Sequence, residues 1–227
     1  MSDTSFSTPF SHRWVAPLAW AVLGLGAAAC SSTKASVSTE GLGGADAPSG
    51  QDQLPELIQP ASDIATRISV KSYEVQGIRS SDEFVRLFEW FQNQGELAYP
   101  KLIEMAAGSH SGAQEFAMSV IGARGDDRLL PYFLRDVPAP SPDNANLHLG
   151  YHRALLAMGE TSSIPVLIDG MEEDNLKKRA VAHLALERAT RTGIGFDAGG
   201  DPEARAASVQ AWRAWYAAQS SDPLLQD

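Results

Sequence analysis

His148 and His152, four residues apart, are the pair whose type and spacing come nearest to metal chemistry. On a helix an i, i+4 pair faces one way, and two imidazole nitrogens so placed can share a divalent ion such as zinc. A small metal-dependent hydrolase of the cell envelope would use them with neighbouring carboxylates, but no Asp, Glu or Cys at ligand spacing completes the set. Gly108-Ser109-His110-Ser111-Gly112 has the outline of a nucleophile elbow, yet His110 stands where the serine is required and no strand precedes it, so the stretch reads as a helix linker. Gly193-Ile194-Gly195-Phe196-Asp197-Ala198 copies part of a dinucleotide fingerprint without the surrounding βαβ unit. Asp197 and Asp201 offer two carboxylates without the other ligands of a calcium loop. The residues therefore predict no catalytic site, no metal and no cofactor.

Cys30 is a different kind of chemical residue, because it is the only thiol of the 227-residue chain. Arg13 precedes an uncharged run from Trp14 to Ala29 that ends Ala27-Ala28-Ala29-Cys30-Ser31-Ser32. A short positive region, an apolar core and small residues at the cut make an export signal over residues 1–29. At 16 residues the run is short for a spanning helix, which needs roughly 20. A cysteine directly after the cut resembles a bacterial lipoprotein signal, in which lipid is attached to the thiol before cleavage. The large aliphatic residue usual three places before that cysteine is here Ala27, with Leu25 two places earlier. Ordinary cleavage would leave a lone exposed thiol in an oxidising compartment, so lipid attachment at Cys30 is the expectation. Ser31 after the cysteine resembles the sorting pattern of outer-membrane lipoproteins that face the periplasm.

Residues 30–55 read as the lipidated cysteine plus a flexible spacer. Ser, Thr, Gly and Ala dominate them, and they hold no aromatic residue and almost no apolar run, so they cannot build a core. A random coil of that length spans about 25–30 Å. Residues 56–227 then form one domain of ordinary size. The formal charge of −10 argues against nucleic acid and against lying flat on anionic lipid, both of which need a cationic face. The one basic cluster, Lys177-Lys178-Arg179, lies beside Glu172-Glu173-Asp174 and reads as a solvated helix face.

The elements behind these residues repeat. Pro100-Lys101-Leu102-Ile103, Pro131-Tyr132-Phe133-Leu134 and Pro165-Val166-Leu167-Ile168 open three helices at spacings of 31 and 34 residues, within the roughly 20–50 that marks a solenoid or array. Each is followed by an Ala-rich second helix. Arg153-Ala154 can be laid beside Arg179-Ala180, and small residues on the inner face would let neighbouring helices approach closely. Gly125-Asp126-Asp127 and Gly159-Glu160-Thr161-Ser162-Ser163 open the second and third units. Over residues 97–190 this pattern resembles the HEAT-repeat family. The resemblance implies an all-α fold, a short right-handed α-solenoid of helix pairs with capping helices, acting as a protein–protein interaction scaffold rather than an enzyme. Its partner would be another envelope protein or peptide, and its membrane contact the lipid on Cys30.

Flanking helices should act as the caps. Ser81-Asp82-Glu83 begins one, with Ser81 as N-cap, and Phe84, Leu87, Phe88 and Phe91 fall on one face. Asp201-Pro202-Glu203 opens another, whose Val209, Trp212 and Tyr216 make an apolar stripe for the core. Trp212-Arg213-Ala214-Trp215 and the preceding Thr192-Gly193-Ile194-Gly195-Phe196-Asp197 resemble the closing segment of some bacterial HEAT-repeat proteins. Ile64–Val75 suits either a helix or extended pairing and is read as helix. The proline-rich run 137–144 is an inserted loop, the expected place for partner-specific contacts.

Overall fold

The computed structural model describes residues 54–220. The export signal, Cys30 and nearly all of the spacer lie outside the described residues. Within them the fold is all-helical, and no helix there is long and apolar enough to cross a membrane.

All three proline-opened helices form. They are α3 (Tyr99–Ala107), α5 (Leu130–Asp136) and α7 (Ile164–Gly170), each with its proline in the first turn, where the missing N–H costs no helical hydrogen bond. Their longer partners are α4 (Ser111–Arg124), α6 (Ala145–Ala157) and α8 (Leu176–Thr190). The longer helices pack side by side, α4 on α6 and α6 on α8, while α3 packs on α4 and α5, and α7 on α6 and α8. Before them come α1 (Ser62–Gln76) and α2 (Ser81–Gln94), and after them α9 (Pro202–Ser220), which packs on α7.

A four-part device recurs ahead of each short helix, and only two of its copies stand out in the sequence. A glycine with positive φ (Gly95, Gly125, Gly159) and the acid after it (Glu96, Asp126, Glu160) lead through a 3-10 turn into the proline helix, the first of these turns beginning at Gly95 itself. Asp126 and Glu160 cap their 3-10 turns by accepting the backbone N–H of Arg128 and Ser162. Gly95-Glu96 is the unforeseen first copy, one residue shorter between glycine and proline.

The helix starts follow side-chain capping. Ser80, rather than Ser81, caps α2, accepting Glu83 N–H at 3.2 Å, while Glu83 reaches back to the N–H of Arg79 at 2.8 Å. Asn144 caps α6, Asn175 caps α8 and Asp201 caps α9. Ile64–Val75 is helical within α1: Ile68 and Val75 sit seven residues apart in the core, while Val70 and Tyr73 face outward. Helical period wins because it buries one pair, whereas an extended chain would split them.

Burial corrects one register. Ala154 is fully buried, but Ala180 is exposed, and the buried alanine of α8 is Ala182. Aligning Arg153 with Arg179 misplaced α8, because the caps Asn144 and Asn175 are 31 residues apart, not 26. Arg179 itself is no solvated side chain. It is 8% exposed and donates to the carbonyls of Ala198, Glu173 and Asp174, clamping the loop before α9 onto the start of α8.

The core has two parts that meet at α6. Leu147, Tyr151, Ala154 and Leu155 face the cluster built by α1 to α5, and Leu149 and Leu156 face the one completed by Leu167, Leu186 and Trp212. A helix buried on opposite faces shows little amphipathic contrast, which fits a position between two neighbours. Trp212 is fully buried and Val209 nearly so, making the α9 stripe core. Arg213 on the same helix pairs with Asp169 at 2.8 Å and Glu172 at 2.7 Å.

Candidate docking groove

The histidine pair comes together without forming a metal site. Its rings meet edge to face at 4.7 Å, but His148 Nδ1 is engaged with the Pro140 carbonyl at 3.2 Å and His152 Nδ1 with Ser163 Oγ at 3.1 Å. Both contacts tie α6 to adjacent connections. Burial, and then the neighbouring His148, push His152 down to about 4. Among the described residues no set of three His, Cys, Asp or Glu side chains converges as metal ligands.

The other chemical fragments also have structural partners. His110 is the N-cap of α4, its Nδ1 accepting the Ala113 N–H at 3.2 Å. In the glycine-rich stretch, the Ile194 carbonyl meets His183 Nε2 at 3.2 Å, and Phe196 packs against the same ring. Asp197 accepts the Gly199 N–H and Asp201 caps α9, so each carboxylate closes a local turn.

A polar strut joins Tyr99 of α3 to the turn before α5. Asp126 accepts hydrogen bonds from Arg128 and from Tyr99 Oη, and Arg128 also reaches Glu96 at 2.6 Å. Arg128 above all holds the Asp126 carboxyl far below the usual range, and burial raises the Tyr99 phenol. Arg124 links Tyr99 to the Gln92 carbonyl. These side chains join the first two glycine–acid turns and are committed to one another.

A groove of about 750 Å³ crosses α2, α4, α6 and α8 on the exposed surface. Its floor is made of small residues, Gly122, Ala123 and Ala157 in the middle and Ala185 and Ala189 on α8. Gly122 is small for a reason: a Cβ there would sit 3.3 Å from Ala154 Cα, so α4 and α6 approach backbone to backbone beneath the floor. Phe84 and Phe88 stack at 5.9 Å on α2 and form the aromatic side of the lining. Leu184, 42% exposed, adds apolar surface from α8.

Among the described residues, the ionisable side chains that line the groove are Arg153, Arg188 and Arg191. Arg153 is partly buried and makes no hydrogen bond or close ion pair with another described residue. Burial pulls its pKa down, Glu115 raises it through space and Arg188 lowers it, yet a guanidinium remains charged throughout. In the sequence, small residues at helix-packing positions were legible at Ala154 and Ala180, neither of which lines the groove, and none of the arginines stood out as a surface. Arg188 carries no local motif, and only the packing of α8 on α6 brings it near Arg153. The proline-rich loop is exposed at Pro138, Ala139 and residues 141–144, and none of its residues lines the groove. Compared with known protein families, curated proteins and solved structures, the chain matches none of them.

Proposed function

We propose that this protein is a lipid-anchored, periplasm-facing interaction scaffold of HEAT-repeat-like helix pairs, held to the membrane through Cys30, and that it docks another envelope protein. The observation that carries this reading is the groove, an apolar, partly cationic trough along the longer helices in which polar groups remain available. The solenoid arrangement is part of the same reading: α4, α6 and α8 supply successive strips of one face, as stacked pairs do. The chain supplies docking surface rather than catalysis, and its histidines and carboxylates serve helix connections and caps.

A photo-reactive amino acid at Ala123 on the floor tests this in the native envelope. The expected result is a protein adduct from Ala123 and none from Leu134, which is 50% exposed on α5 outside the groove. Irradiation that leaves Ala123 unlinked, or links both sites equally, sinks the reading.

A further inference from the structure

We infer that the groove receives an acidic peptide segment, one whose Asp or Glu carboxylate meets Arg153 and Arg188 while flanking aliphatic or aromatic side chains lie on the small-residue floor. This deepens the docking reading above and rests on it.

Charge complementarity selects the occupant. The chain carries 28 acidic against 18 basic side chains, so a random patch of its surface should be acidic. The groove inverts that balance, since its ionisable lining consists of Arg153, Arg188 and Arg191. A cationic trough on an anionic protein attracts an anionic segment and repels a basic one, which sets specificity and encounter rate.

Burial sharpens the argument at Arg153. Elsewhere in the protein arginines facing structural neighbours are saturated: Arg128 holds Asp126 and Glu96, Arg179 holds three carbonyls, and Arg213 holds two carboxylates. Arg153 is more deeply placed than Arg128 or Arg213 but has only the through-space field of Glu115 and faces the like charge of Arg188. A carboxylate arriving between α6 and α8 would relieve that repulsion and accept from a planar fork suited to bidentate pairing. The neighbouring floor asks for apolar contacts: Val181, Leu184 and Leu156 border the arginines, and Phe84 and Phe88 lie across α4. Carboxylate and hydrophobe on one segment is therefore the chemistry that fits, and a free inorganic anion would use only part of it.

The test is selection from a random peptide library displayed on phage, using the full chain as bait, with Ala123→Trp and the double variant Arg153→Gln/Arg188→Gln as parallel baits. Circular dichroism checks that both variants keep the helical fold. The expected result is enrichment of peptides carrying Asp or Glu beside Leu, Ile, Val or an aromatic residue. Ala123→Trp should abolish their binding, and Arg153→Gln/Arg188→Gln should weaken it about tenfold or more, with a steep loss as salt is raised. Enriched peptides that are neutral or basic but still lost in Ala123→Trp would overturn the acidic assignment and leave groove docking standing. A selection in which Ala123→Trp changes nothing would overturn both.

Discussion

Gly122 lets α4 and α6 meet backbone to backbone at Ala154, its missing side chain leaving room for the Ala154 Cα 3.3 Å from where a Cβ would stand. The contact has two faces. Below it Ala154 is fully buried, and above it Gly122 opens into the groove floor. Core packing and groove floor thus share one pair of residues.

Enlarging Ala154 should therefore be costly. Ala154→Phe is expected to destabilise by roughly 1–3 kcal/mol or more through overpacking, read as a lower thermal midpoint. Ala180→Phe on the exposed side of α8 should leave unfolding nearly unchanged. Equal losses at the two positions would restore the register in which both alanines pack inward.

Gly125 is constrained twice. Its φ is 59°, and a Cβ would come within 2.9 Å of the Ala157 carbonyl oxygen, which is backbone and cannot swing aside. Gly125→Ala should lower stability by about 1–3 kcal/mol. Gly159 also has positive φ (97°), but open space surrounds its Cβ position, so Gly159→Ala should suffer from backbone strain alone and lose less. A reversed order in chemical denaturation would mean that steric contact with α6 is not what fixes Gly125.

His152 makes the fold sensitive to mild acid. Its folded-state value lies near 4, against 6.5 for an unperturbed imidazole, so between these limits the unfolded chain binds a proton that the folded chain refuses. The contribution is fully present above pH 6.5, declines as pH falls through that window and is lost once the folded pKa is passed. Thermal midpoints should thus drop between pH 6.5 and 4, and His152→Gln, which can still bond Ser163, should flatten the decline. An unchanged pH slope in the variant would assign the acid sensitivity to other groups.

Local rules made the helices legible, and longer-range packing hid the site. Pro100, Pro131 and Pro165 announce helix starts because proline suits the first turn, and Asp201 caps α9 through its own carboxylate, so both can be read from a few neighbouring residues. The Arg153–Arg179 alignment failed because similarity of short Arg-Ala strings says nothing about which face a helix buries. Counting from the N-caps does better: Ala182 and Leu186 stand seven and eleven residues after Asn175, as the buried Tyr151 and Leu155 stand after Asn144. Arg179 looked solvated for the same reason: its acceptors are backbone carbonyls, one of them 19 residues away at Ala198, and carbonyls leave no trace in a side-chain pattern. The groove arginines come from α6 and α8, with Arg191 just beyond α8, and become neighbours through tertiary contact alone.

In the proposed reading, membrane attachment runs through the single thiol. Cys30→Ala should abolish lipid labelling and move the protein out of the membrane fraction, because no helix among the described residues offers another apolar span. Labelling that survives the substitution would remove Cys30 as the attachment point.

The proline-rich loop offers a last and separable test. Three prolines between Val137 and Asn144 prevent a helix, and the segment is largely exposed, so deleting Ala139–Asp143 removes little buried surface. Two structural contacts go with it, the Pro140 carbonyl on His148 Nδ1 and the Ser141 carbonyl that accepts the Asn144 N–H, while the Asn144 side chain remains to cap α6. The helical circular dichroism spectrum should persist with a small loss of stability. Because the loop lies outside the groove lining, peptides selected on the groove should bind the deletion variant within about twofold of the intact chain. Loss of those peptides with the spectrum intact would place the loop at the surface that binds them.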